Sequence, residues 1–393
     1  MKTTSVFYKS HYHFVKIKHK LSTKKSVHLQ RFGENACCLI PVKKMKKVLI
    51  DLSVLKHLNC GLGQVAYNYA KYFEANAKHL DFEVHLLVPK SYIGAFGNDV
   101  FYHQSKELYT MFPSLLPKFD AWHAIHQLSR FKPSRKKTPT ILTIHDLNFL
   151  YEKEPAKIKK YSQRIAAKIR QAKKIVCISN FAKNDVQKHF QTKKPIEVLY
   201  NGVEFMSADV EKRPAAVSSD RPFLFSIGQL MPKKNFHVML DTMKLLPQYD
   251  FYLAGKDNTD YAEMMRKRIK EEHIDNVHLM GEILHSEKVW LYNHCTAFVF
   301  PSLFEGFGLP IIEAMFFEKP VISSNQTSLQ EIGADHVTFI EHFEPDYIAS
   351  KIQTAISEFN EEKALSNRAY AMSFSYEKHL GRYVEIYREL CNI

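Results

Sequence analysis

The sequence predicts an α/β protein made of two doubly wound units, each with its own parallel sheet. Two observations carry this prediction. From residue 46 onwards, apolar runs of strand length alternate with amphipathic stretches of helical length, the pattern typical of parallel strands joined by crossover helices. The alternation breaks at Ser207–Asp220, where Pro, Ala, Ser and charged residues follow no period, and it then restarts. A length of 393 residues also suits two domains.

The first unit contains five apolar runs of strand length and two clear amphipathic helices. Each run is short and apolar, as expected for strands that are buried on both faces of a parallel sheet. The predicted strands are Val48–Leu52, Glu83–Val88, Ala121–Ala124, Thr140–Ile144 and Ile175–Ile178. The predicted helices are Gln64–Ala75 and Lys157–Ala172.

The second unit repeats the pattern with another five apolar runs. They are Phe223–Ile227, Phe251–Ala254, Val277–Met280, Ala297–Phe300 and Pro320–Ser323. The chain then closes with Glu377–Leu390, in which Leu, Tyr, Val and Ile recur at helical spacing. This spacing predicts one amphipathic helix.

The chain is basic, with 55 Lys and Arg against 41 Asp and Glu and a formal net charge of +14. Residues 130–194 hold eighteen of these cations against four acids. Two hypotheses fit that stretch: it faces an anionic membrane leaflet, or it is a solvated helix face. An apolar fraction of 45% excludes a mainly disordered chain. The sequence contains no run of 18 apolar residues, so it predicts no membrane-spanning helix.

Residues 1–44 form a basic N-terminal extension with ten Lys and Arg and one acid. In one hypothesis Met45 is the native initiator and the extension is not part of the native protein. In the other, the extension is a tail that binds an acidic partner. It lacks the apolar core of a secretory signal. The six cysteines contain no CxxC pair and predict reduced thiols in a cytoplasmic protein.

Four loops that follow predicted strands carry candidate binding residues, because ligands of open parallel sheets bind at the carboxyl ends of the strands. In the first loop, Gly61 and Gly63 precede a helix whose free N–H groups suit an anion; a tight turn without a ligand is the alternative. In the second, His145 can hydrogen-bond a sugar hydroxyl or transfer a proton. The alternative there is a His145–Asp146 pair that only holds the loop.

The third loop begins at Gly228 and continues to Lys233 and Lys234, which lie near a predicted helix start and suit a diphosphate. A solvated lysine pair is the alternative. The fourth loop reads PSLFEGFGLPIIEAM and contains Glu305 and Glu313. Its glycines expose amides that bind phosphate oxygens, its carboxylates bind hydroxyls, and Glu313 needs a polar partner if it is buried. A nucleotide sugar offers both kinds of group.

This fourth motif resembles the signature of the retaining GT-B glycosyltransferases of family 4, which include bacterial mannosyl- and glucosyltransferases. Glu305 and Glu313 are separated by seven residues, as in that signature. Further similar segments are GLGQ at 61–64, His145–Asp146, CISNFAKNDV at 177–186, LYNGVE at 199–204 and PKKN at 232–235. The resemblance implies a GT-B fold, in which two Rossmann-like domains face a cleft.

The resemblance also implies domain boundaries. The acceptor-side domain would span residues 45–206 and the nucleotide-sugar domain residues 223–375, joined by a linker at 207–222. A C-terminal helix at 376–393 would cross back onto the first domain.

The resemblance assigns roles to single residues. Three would be catalytic: His145 near the anomeric centre, Lys234 on the diphosphate and Glu305 on the hydroxyls of the donor sugar. Glu313 would bind the ribose. The remaining donor-binding positions would be Gly61, Gly63, Gly228, Lys233, Gly308 and Leu309.

One position departs from the family pattern. Many members carry Arg after the glycine that corresponds to Gly228, whereas this chain carries Gln229. A neutral amide cannot replace that charge, so Lys233 is expected to substitute for it in part. The chain has no Asp-x-Asp run and no His/Cys cluster at ligand spacing, so we expect neither a metal nor a cofactor.

The function implied is transfer of a hexose, with mannose favoured, from a GDP- or UDP-linked donor. The acceptor would be a glycan or a lipid-linked sugar in the synthesis of cell-surface polysaccharide or lipopolysaccharide. The expected location is the cytoplasm or the inner face of the membrane, with no nucleic-acid partner. Two alternatives are a GT-B-fold sugar-nucleotide epimerase, disfavoured by the spaced glutamates, and a basic nucleic-acid binder, disfavoured by the lack of a recognised motif.

Overall fold

The computed structural model describes residues 44–58, 61–205 and 210–393. The predicted extension at 1–44 therefore lies outside the described residues except for Lys44, and so does the start of the predicted linker. The described chain contains two parallel sheets covered by helices, and each sheet reverses its strand order in the way that opens a ligand crevice.

The first sheet has seven strands in the order β3-β2-β1-β4-β5-β6-β7, and every pair is parallel. Its strands are β1 (Lys46–Asp51), β2 (Phe82–Val88), β3 (Phe101–Gln104), β4 (Ala121–Ala124), β5 (Thr140–Ile144), β6 (Lys174–Cys177) and β7 (Ile196–Val198). The associated helices are α1 (Gly61–Asn76), α2 (Leu108–Met111), α3 (Phe149–Glu152), α4 (Pro155–Gln171) and α5 (Asn180–Phe190).

The second sheet has six parallel strands in the order β10-β9-β8-β11-β12-β13. Its strands are β8 (Phe223–Ile227), β9 (Asp250–Ala254), β10 (Val277–Gly281), β11 (Ala297–Phe300), β12 (Val321–Ser324) and β13 (Thr338–Ile340). The remaining helices are α6 (Val238–Lys244), α7 (Asp260–Glu271), α8 (His285–His294), α9 (Leu309–Phe316), α10 (Leu329–Gly333), α11 (Pro345–Ser357), α12 (Glu361–Met372) and α13 (Tyr376–Cys391).

The α/β prediction with two parallel sheets is confirmed, and the central strands lie where the apolar runs predicted them. Three strands that the sequence did not predict, β3, β7 and β13, lie at sheet edges. An edge strand pairs on one side only and needs little burial, so its sequence carries a weak apolar signal. In β3 no residue is fully buried.

The C-terminal helix α13 packs against α1 and the first sheet. Tyr383 and Tyr387 are completely buried there. The Tyr383 hydroxyl lies 2.7 Å from Thr143 Oγ1, and the Tyr387 hydroxyl lies 2.7 Å from His123 Nδ1. The hydroxyl groups of these two buried tyrosines therefore have hydrogen-bond partners inside the first unit.

None of the helices in the described ranges combines the length and the apolar character that a membrane crossing requires.

Candidate active site

The loops that follow β5, β6 and β11 meet where the carboxyl ends of the two sheets approach each other. Ser179 donates a hydrogen bond to the Gly306 carbonyl oxygen at 3.0 Å. A Cβ atom on Gly306 would lie only 2.6 Å from the His145 carbonyl oxygen and 3.0 Å from Asp146 Cβ. Only glycine permits this approach. The contact therefore places the predicted His145 loop directly against the loop that carries Glu305.

Lys234 and Glu305 form an ion pair at the centre of this region. Each side chain is only 15% exposed, so water screens the pair less than it would a surface pair. Lys234 Nζ also lies 5.0 Å from the centroid of the Phe300 ring, at the end of β11. The structure thus brings together two residues that the sequence placed in separate loops.

The loop around Glu305 is held by hydroxyl groups of the following segment. The Glu305 amide donates to Thr327 Oγ1 at 3.0 Å. The Ser328 hydroxyl lies 3.0 Å from the Glu305 and Phe307 carbonyl oxygens. These bonds hold the backbone of the loop in place.

Glu313 has the polar partners that burial in a helix requires. Lys288 Nζ lies 3.0 Å from Glu313 Oε1, and the Tyr292 hydroxyl donates to Glu313 Oε2 at 2.8 Å. Lys288 and Tyr292 are one helical turn apart on α8, so they reach the same carboxylate from one face. Burial together with the Glu313 carboxylate raises the pKa of Tyr292 well above its ordinary value.

The start of α9 supplies the amides that the sequence predicted around Gly308 and Leu309. Gly308 lies at the N-cap of α9 with a φ of 113°, a left-handed conformation that favours glycine. Leu309 and Glu313 line a pocket that reaches Lys288 on α8 and Gln64 on α1. The pocket therefore lies between the helix start, the Glu313 carboxylate and the first unit.

Gly61 and Gly63 lie in the first turn of α1, not in a loop before it as predicted. A Cβ on Gly63 would overlap the His57 carbonyl oxygen at 2.2 Å, so close packing within the first unit already requires glycine there. A Cβ on Gly61 would meet Leu309 Cδ1 at 3.9 Å. Of the two glycines, Gly61 is the one that faces the second unit.

His145 is oriented by Gln127 and by a backbone carbonyl. Its amide donates to Gln127 Oε1 at 3.1 Å. Its Nε2 lies 2.8 Å from the Ile125 carbonyl oxygen, and because a carbonyl only accepts, Nε2 carries the proton. Burial lowers the pKa of His145 to about 4, so the ring is neutral at pH 7.

Asp146 lies beside the charged residues of the cleft. Its Oδ1 accepts from the Asn148 amide at 3.0 Å, and its carbonyl oxygen accepts from Gln127 Nε2 at 2.8 Å. Burial raises the pKa of the Asp146 carboxyl. The hydrogen bond from the Asn148 amide and the charge of Lys233 lower this pKa, whereas the charge of Glu305 raises it further. A shifted carboxyl in a cleft is a candidate proton carrier.

Lys233 pairs across the cleft with Glu152 of α3, at an Nζ–Oε1 distance of 3.0 Å. The sequence predicted Lys233 as a donor-binding cation beside Lys234, and in the structure its ammonium group reaches the first unit. Gly228 lies next to the Lys234 stem, because a Cβ there would be 3.5 Å from Lys234 Cε.

The two units are also joined by Glu331, whose carboxylate caps α5. Glu331 Oε1 accepts from the Asn180 amide at 2.7 Å, and Oε2 accepts from the Phe181 amide at 3.0 Å. A carboxylate at a helix N-terminus accepts hydrogen bonds from amides that have no partner within the helix. Its negative charge also interacts favourably with the positive end of the helix dipole. A cavity of about 480 Å³ lies beside this cap and is lined by Asn180, Tyr200 and Phe374; it contains none of the predicted site residues.

Sequence reasoning missed the residues that orient the predicted ones. Lys288 and Tyr292 hold Glu313, Gln127 holds His145, and Glu152 pairs with Lys233. Each is an ordinary polar residue in its own segment. The spacing of Lys288 and Tyr292 on one helix face was the single available signal, and it does not reveal which residue they face.

Two facing parallel sheets, with a glycine-rich loop and two spaced glutamates at their junction, define the GT-B class of glycosyltransferases. The family model "Glycosyltransferase Family 4" matches residues 60–205. The model "Glycosyl transferases group 1" matches residues 208–372. The chain therefore belongs to the group 1 glycosyltransferases.

Individual relatives agree with this family. An uncharacterized glycosyltransferase of Methanocaldococcus jannaschii is 27% identical over 256 residues, which is 64% of this chain and 69% of the relative. The O-antigen chain mannosyltransferase B of Escherichia coli is 24% identical over 302 residues, 70% of this chain and 78% of the relative. The crystal structure of HepE from Anabaena in complex with UDP-glucose has a TM-score of 0.66 at 16% identity, covering 88% of this chain and 100% of that one.

Proposed function

We propose that this glycosyltransferase moves a hexose from a UDP- or GDP-linked donor to a glycan or lipid-linked acceptor, with retention at the anomeric carbon and without a metal ion. The observation that carries the proposal is the convergence of Lys234, Glu305 and Glu313 with the amides at the start of α9. Cations and amides bind phosphate oxygens and carboxylates bind hydroxyls, so this set matches a nucleotide sugar.

Each residue then has a defined task. Glu313, held by Lys288 and Tyr292, accepts hydrogen bonds from the ribose hydroxyls. Lys234 exchanges its ion pair with Glu305 for the diphosphate, and Glu305 becomes free to accept from hydroxyls of the sugar. The amides of Gly308 and Leu309 cover the phosphate and the sugar.

The reaction breaks the bond between the anomeric carbon and the diphosphate oxygen and forms a bond from that carbon to the acceptor oxygen. Negative charge develops on the departing diphosphate, and Lys234 stabilises it in a partly shielded cleft. The acceptor attacks from the face that the diphosphate leaves, and its proton passes to the departing phosphate. A neutral His145 near the anomeric centre hydrogen-bonds a sugar hydroxyl and adds no positive charge there.

The relatives guide the choice of donor and acceptor. One relative is a mannosyltransferase of O-antigen chains, and one structural neighbour binds UDP-glucose. GDP-mannose and UDP-glucose are therefore the first donors to test. We place the acceptor among the precursors of cell-surface polysaccharide, made in the cytoplasm and presented at the inner leaflet.

The proposal is tested by incubating the protein with single nucleotide sugars, with and without lipid-linked sugar acceptors, and measuring release of nucleoside diphosphate. We expect acceptor-dependent release from one donor and a product whose anomeric configuration, read by proton NMR, equals that of the donor. Donor conversion to an epimer without release would instead identify an epimerase. Inversion of the anomeric configuration would overturn the retaining part of the proposal. Loss of activity on adding a chelator would overturn the metal-free part.

A further inference from the structure

The cavity of about 480 Å³ beside the Glu331 cap lies where the chain passes between the two units. The chain makes this passage once after β7 and again where α12 leads into α13. The Val203 amide donates to the Phe374 carbonyl oxygen at 2.8 Å, so the two passages run side by side. We call residues 198–203 and 373–379 together the double crossing. Both of its strands of chain line the cavity.

The walls of the cavity belong to both units. One wall contains His379 of α13, whose Nδ1 donates to the Tyr200 carbonyl oxygen and whose Nε2 lies 3.0 Å from the Tyr69 hydroxyl of α1. The other wall contains Tyr370 and Phe374, which pack in the core of the second unit. A molecule in the cavity would therefore touch both units at once. It would bind best in one relative arrangement of them.

Aromatic rings form much of the apolar lining. The Tyr200 and Phe374 rings lie nearly parallel, with centroids 5.9 Å apart and an angle of 30° between their planes. Tyr370 lies edge-on to Phe374, with centroids 5.1 Å apart and an angle of 81°. Stacked and edge-to-face contacts of this kind also hold an aromatic ring of a ligand. Ligand pockets generally measure about 300–1,000 Å³, so the volume suits a small molecule.

The charge of the lining is positive. Among the lining residues that the structure describes, Lys378 carries the only charge at pH 7, because burial lowers the pKa of His379 to about 3. No carboxylate in the described ranges lies within ion-pair distance of Lys378 Nζ. The nearby Glu331 carboxylate already accepts from the amides of Asn180 and Phe181. An anionic group on a ligand would thus meet an unoccupied cation.

A buried amide adds a polar position to the lining. Asn201 is only 4% exposed and lines the cavity. Within the part of the chain that the structure describes, its side chain makes no hydrogen bond, although buried amides normally have partners. Ser375, in contrast, already accepts from the Lys378 amide at 3.3 Å as the N-cap of α13. An oxygen atom of a bound molecule would supply the partner that Asn201 lacks.

We propose that the cavity at the double crossing binds a small aromatic anion, and that the bound anion holds the two units in their present contact. The ring packs among Tyr200, Tyr370 and Phe374, and the acidic group binds Lys378. The binding site goes beyond the proposed function, and only its consequence for donor binding rests on that function.

The present contact leaves little room for a nucleotide. Gly306 packs against the His145 loop. Lys233 Nζ lies 3.0 Å from Glu152 Oε1 across the cleft. The pocket beside Glu313 measures about 50 Å³, far below the usual size of a ligand pocket. A bound nucleotide sugar therefore requires a wider cleft, so an anion that stabilises the present contact weakens nucleotide binding, and the nucleotide weakens the anion to the same degree.

Other ligand classes fit the cavity less well. A cation would be repelled by Lys378, which no carboxylate of the described lining offsets. A free sugar would leave hydroxyl groups against the rings of Tyr370 and Phe374, and buried hydroxyls without partners are costly. An aromatic anion satisfies the rings and the cation together.

Two related probes test the binding site. Anilinonaphthalene sulfonate carries aromatic rings and one negative charge, and N-phenylnaphthylamine is the same molecule without the sulfonate. Fluorescence titration of the full chain should show tighter binding of the sulfonate by about two- to fivefold, the effect of one exposed ion pair. Lys378→Gln should remove this difference. The control Lys363→Gln, at an exposed position of α12 outside the cavity, should preserve it.

A second variant fills the cavity. Ser373 is exposed and lines it at the end of α12. Ser373→Trp should weaken both probes by about tenfold or more, because the indole occupies the space of their rings. Ser357→Trp adds the same residue at an exposed position of α11 and should bind both probes as wild type does. This control removes any effect of an added tryptophan on the fluorescence.

Calorimetric titration with UDP and GDP tests the coupling to the cleft. With the sulfonate probe bound, the Kd of wild type for the preferred nucleotide should rise by about fivefold or more, within the usual range of coupling between two sites. The Kd of Ser373→Trp should not respond to the probe. An equal response in Ser373→Trp would mean that the probe competes inside the cleft, and it would overturn the coupling.

The remaining outcomes are equally decisive. The cavity is excluded as the binding site if Ser373→Trp binds both probes like wild type, and the anion preference is excluded if Lys378→Gln retains it. If Ser373→Trp is unstable, the exposed Lys378→Gln variant decides alone. Wild type that binds the probe in this cavity but binds no nucleotide would contradict the proposed function and leave the aromatic-anion site standing.

Discussion

Lys234 and Glu305 form an ion pair across two loops, although 71 residues separate them in the sequence. Lys234 follows β8 and Glu305 follows β11, and these strands are neighbours in the second sheet. The pairing means that the cation and the carboxylate assigned to opposite parts of a nucleotide sugar neutralise each other before the donor arrives. In the proposed function, donor binding exchanges this contact for two others.

Replacing Lys234 tests this exchange. Lys234→Ala should lower kcat/KM for transfer by roughly 10- to 150-fold, because it removes a charge-assisted contact of about 1.5–3 kcal/mol from the departing diphosphate. Steady-state release of nucleoside diphosphate measures the effect. The matched control Lys267→Ala breaks an exposed lysine–glutamate pair on α7 and should leave the rate unchanged. A Lys234→Ala enzyme with normal turnover would remove Lys234 from the mechanism.

The hydroxyl that holds Glu313 should matter for donor affinity. Tyr292→Phe keeps the buried ring and removes the hydrogen bond to Glu313, so the donor KM should rise about fivefold, the effect of one net hydrogen bond, with a smaller change in kcat. Glu313→Gln should raise the donor KM further. Tyr102→Phe, which removes a hydroxyl bonded to the Gly97 carbonyl, is the control. An unchanged donor KM in both site variants would argue against ribose binding by Glu313.

Gly306 should be intolerant of any side chain. Gly306→Ala places a methyl group 2.6 Å from the His145 carbonyl oxygen, so the two loops must separate and transfer should fall by more than about tenfold through misplacement of the reacting groups. Binding of nucleoside diphosphate should remain. The control Gly381→Ala adds a methyl group with open space in α13, 3.9 Å from the Tyr72 hydroxyl. It should preserve activity and stabilise the helix by about 0.5–1 kcal/mol. Full activity in Gly306→Ala would show that the loops need not touch.

Stability should depend on pH through buried histidines. Burial lowers the pKa of His379 and of His126 to about 3, below the ordinary value of about 6.5. Below pH 6.5 the unfolded chain therefore binds protons that the folded chain does not, and each such histidine lowers the free energy of unfolding by up to about 1.4 kcal/mol per pH unit. This contribution is complete above pH 6.5 and is lost as the pH falls towards 3.

The variant His379→Gln isolates one of these contributions. His379 Nδ1 donates to the Tyr200 carbonyl oxygen at 2.5 Å and Nε2 accepts from the Tyr69 hydroxyl, which describes a neutral ring. Urea unfolding at pH 7.5 and 5.5 gives the free energy of unfolding at each pH. We expect this free energy to depend less on pH in His379→Gln than in wild type, because the variant takes up about one proton fewer when it unfolds at low pH. His79→Gln, at an exposed position, is the control. Equal pH dependence in wild type and His379→Gln would contradict the assignment.

The sequence predicted the central strands and the loops of the site because both follow from simple rules. Buried parallel strands such as Thr140–Ile144 require continuous apolar runs, and the carboxyl ends of such strands are where ligands bind. His145 and Glu305 were selected on that ground, and the structure places their loops in contact.

The remaining features depend on contacts that a local pattern does not contain. Glu152 forms an ion pair with Lys233 because α3 faces the second unit. Gly61 and Gly63 were predicted to lie in a loop before the helix, where glycine lets the backbone approach a ligand. In the structure α1 begins at Gly61, and Gly63 packs too close to the His57 carbonyl oxygen for any side chain.

The central claim is that the cleft binds the diphosphate of a nucleotide sugar through Lys234. Its most direct test is thermal unfolding of wild type and Lys234→Met with UDP, GDP, UMP and GMP at equal concentration. A ligand at 100 times its Kd stabilises by about 2.7 kcal/mol. We predict that one diphosphate raises the Tm of wild type, that its monophosphate does so less, and that Lys234→Met removes the difference. If no nucleotide raises the Tm, or if Lys234→Met responds as wild type does, the claim is contradicted.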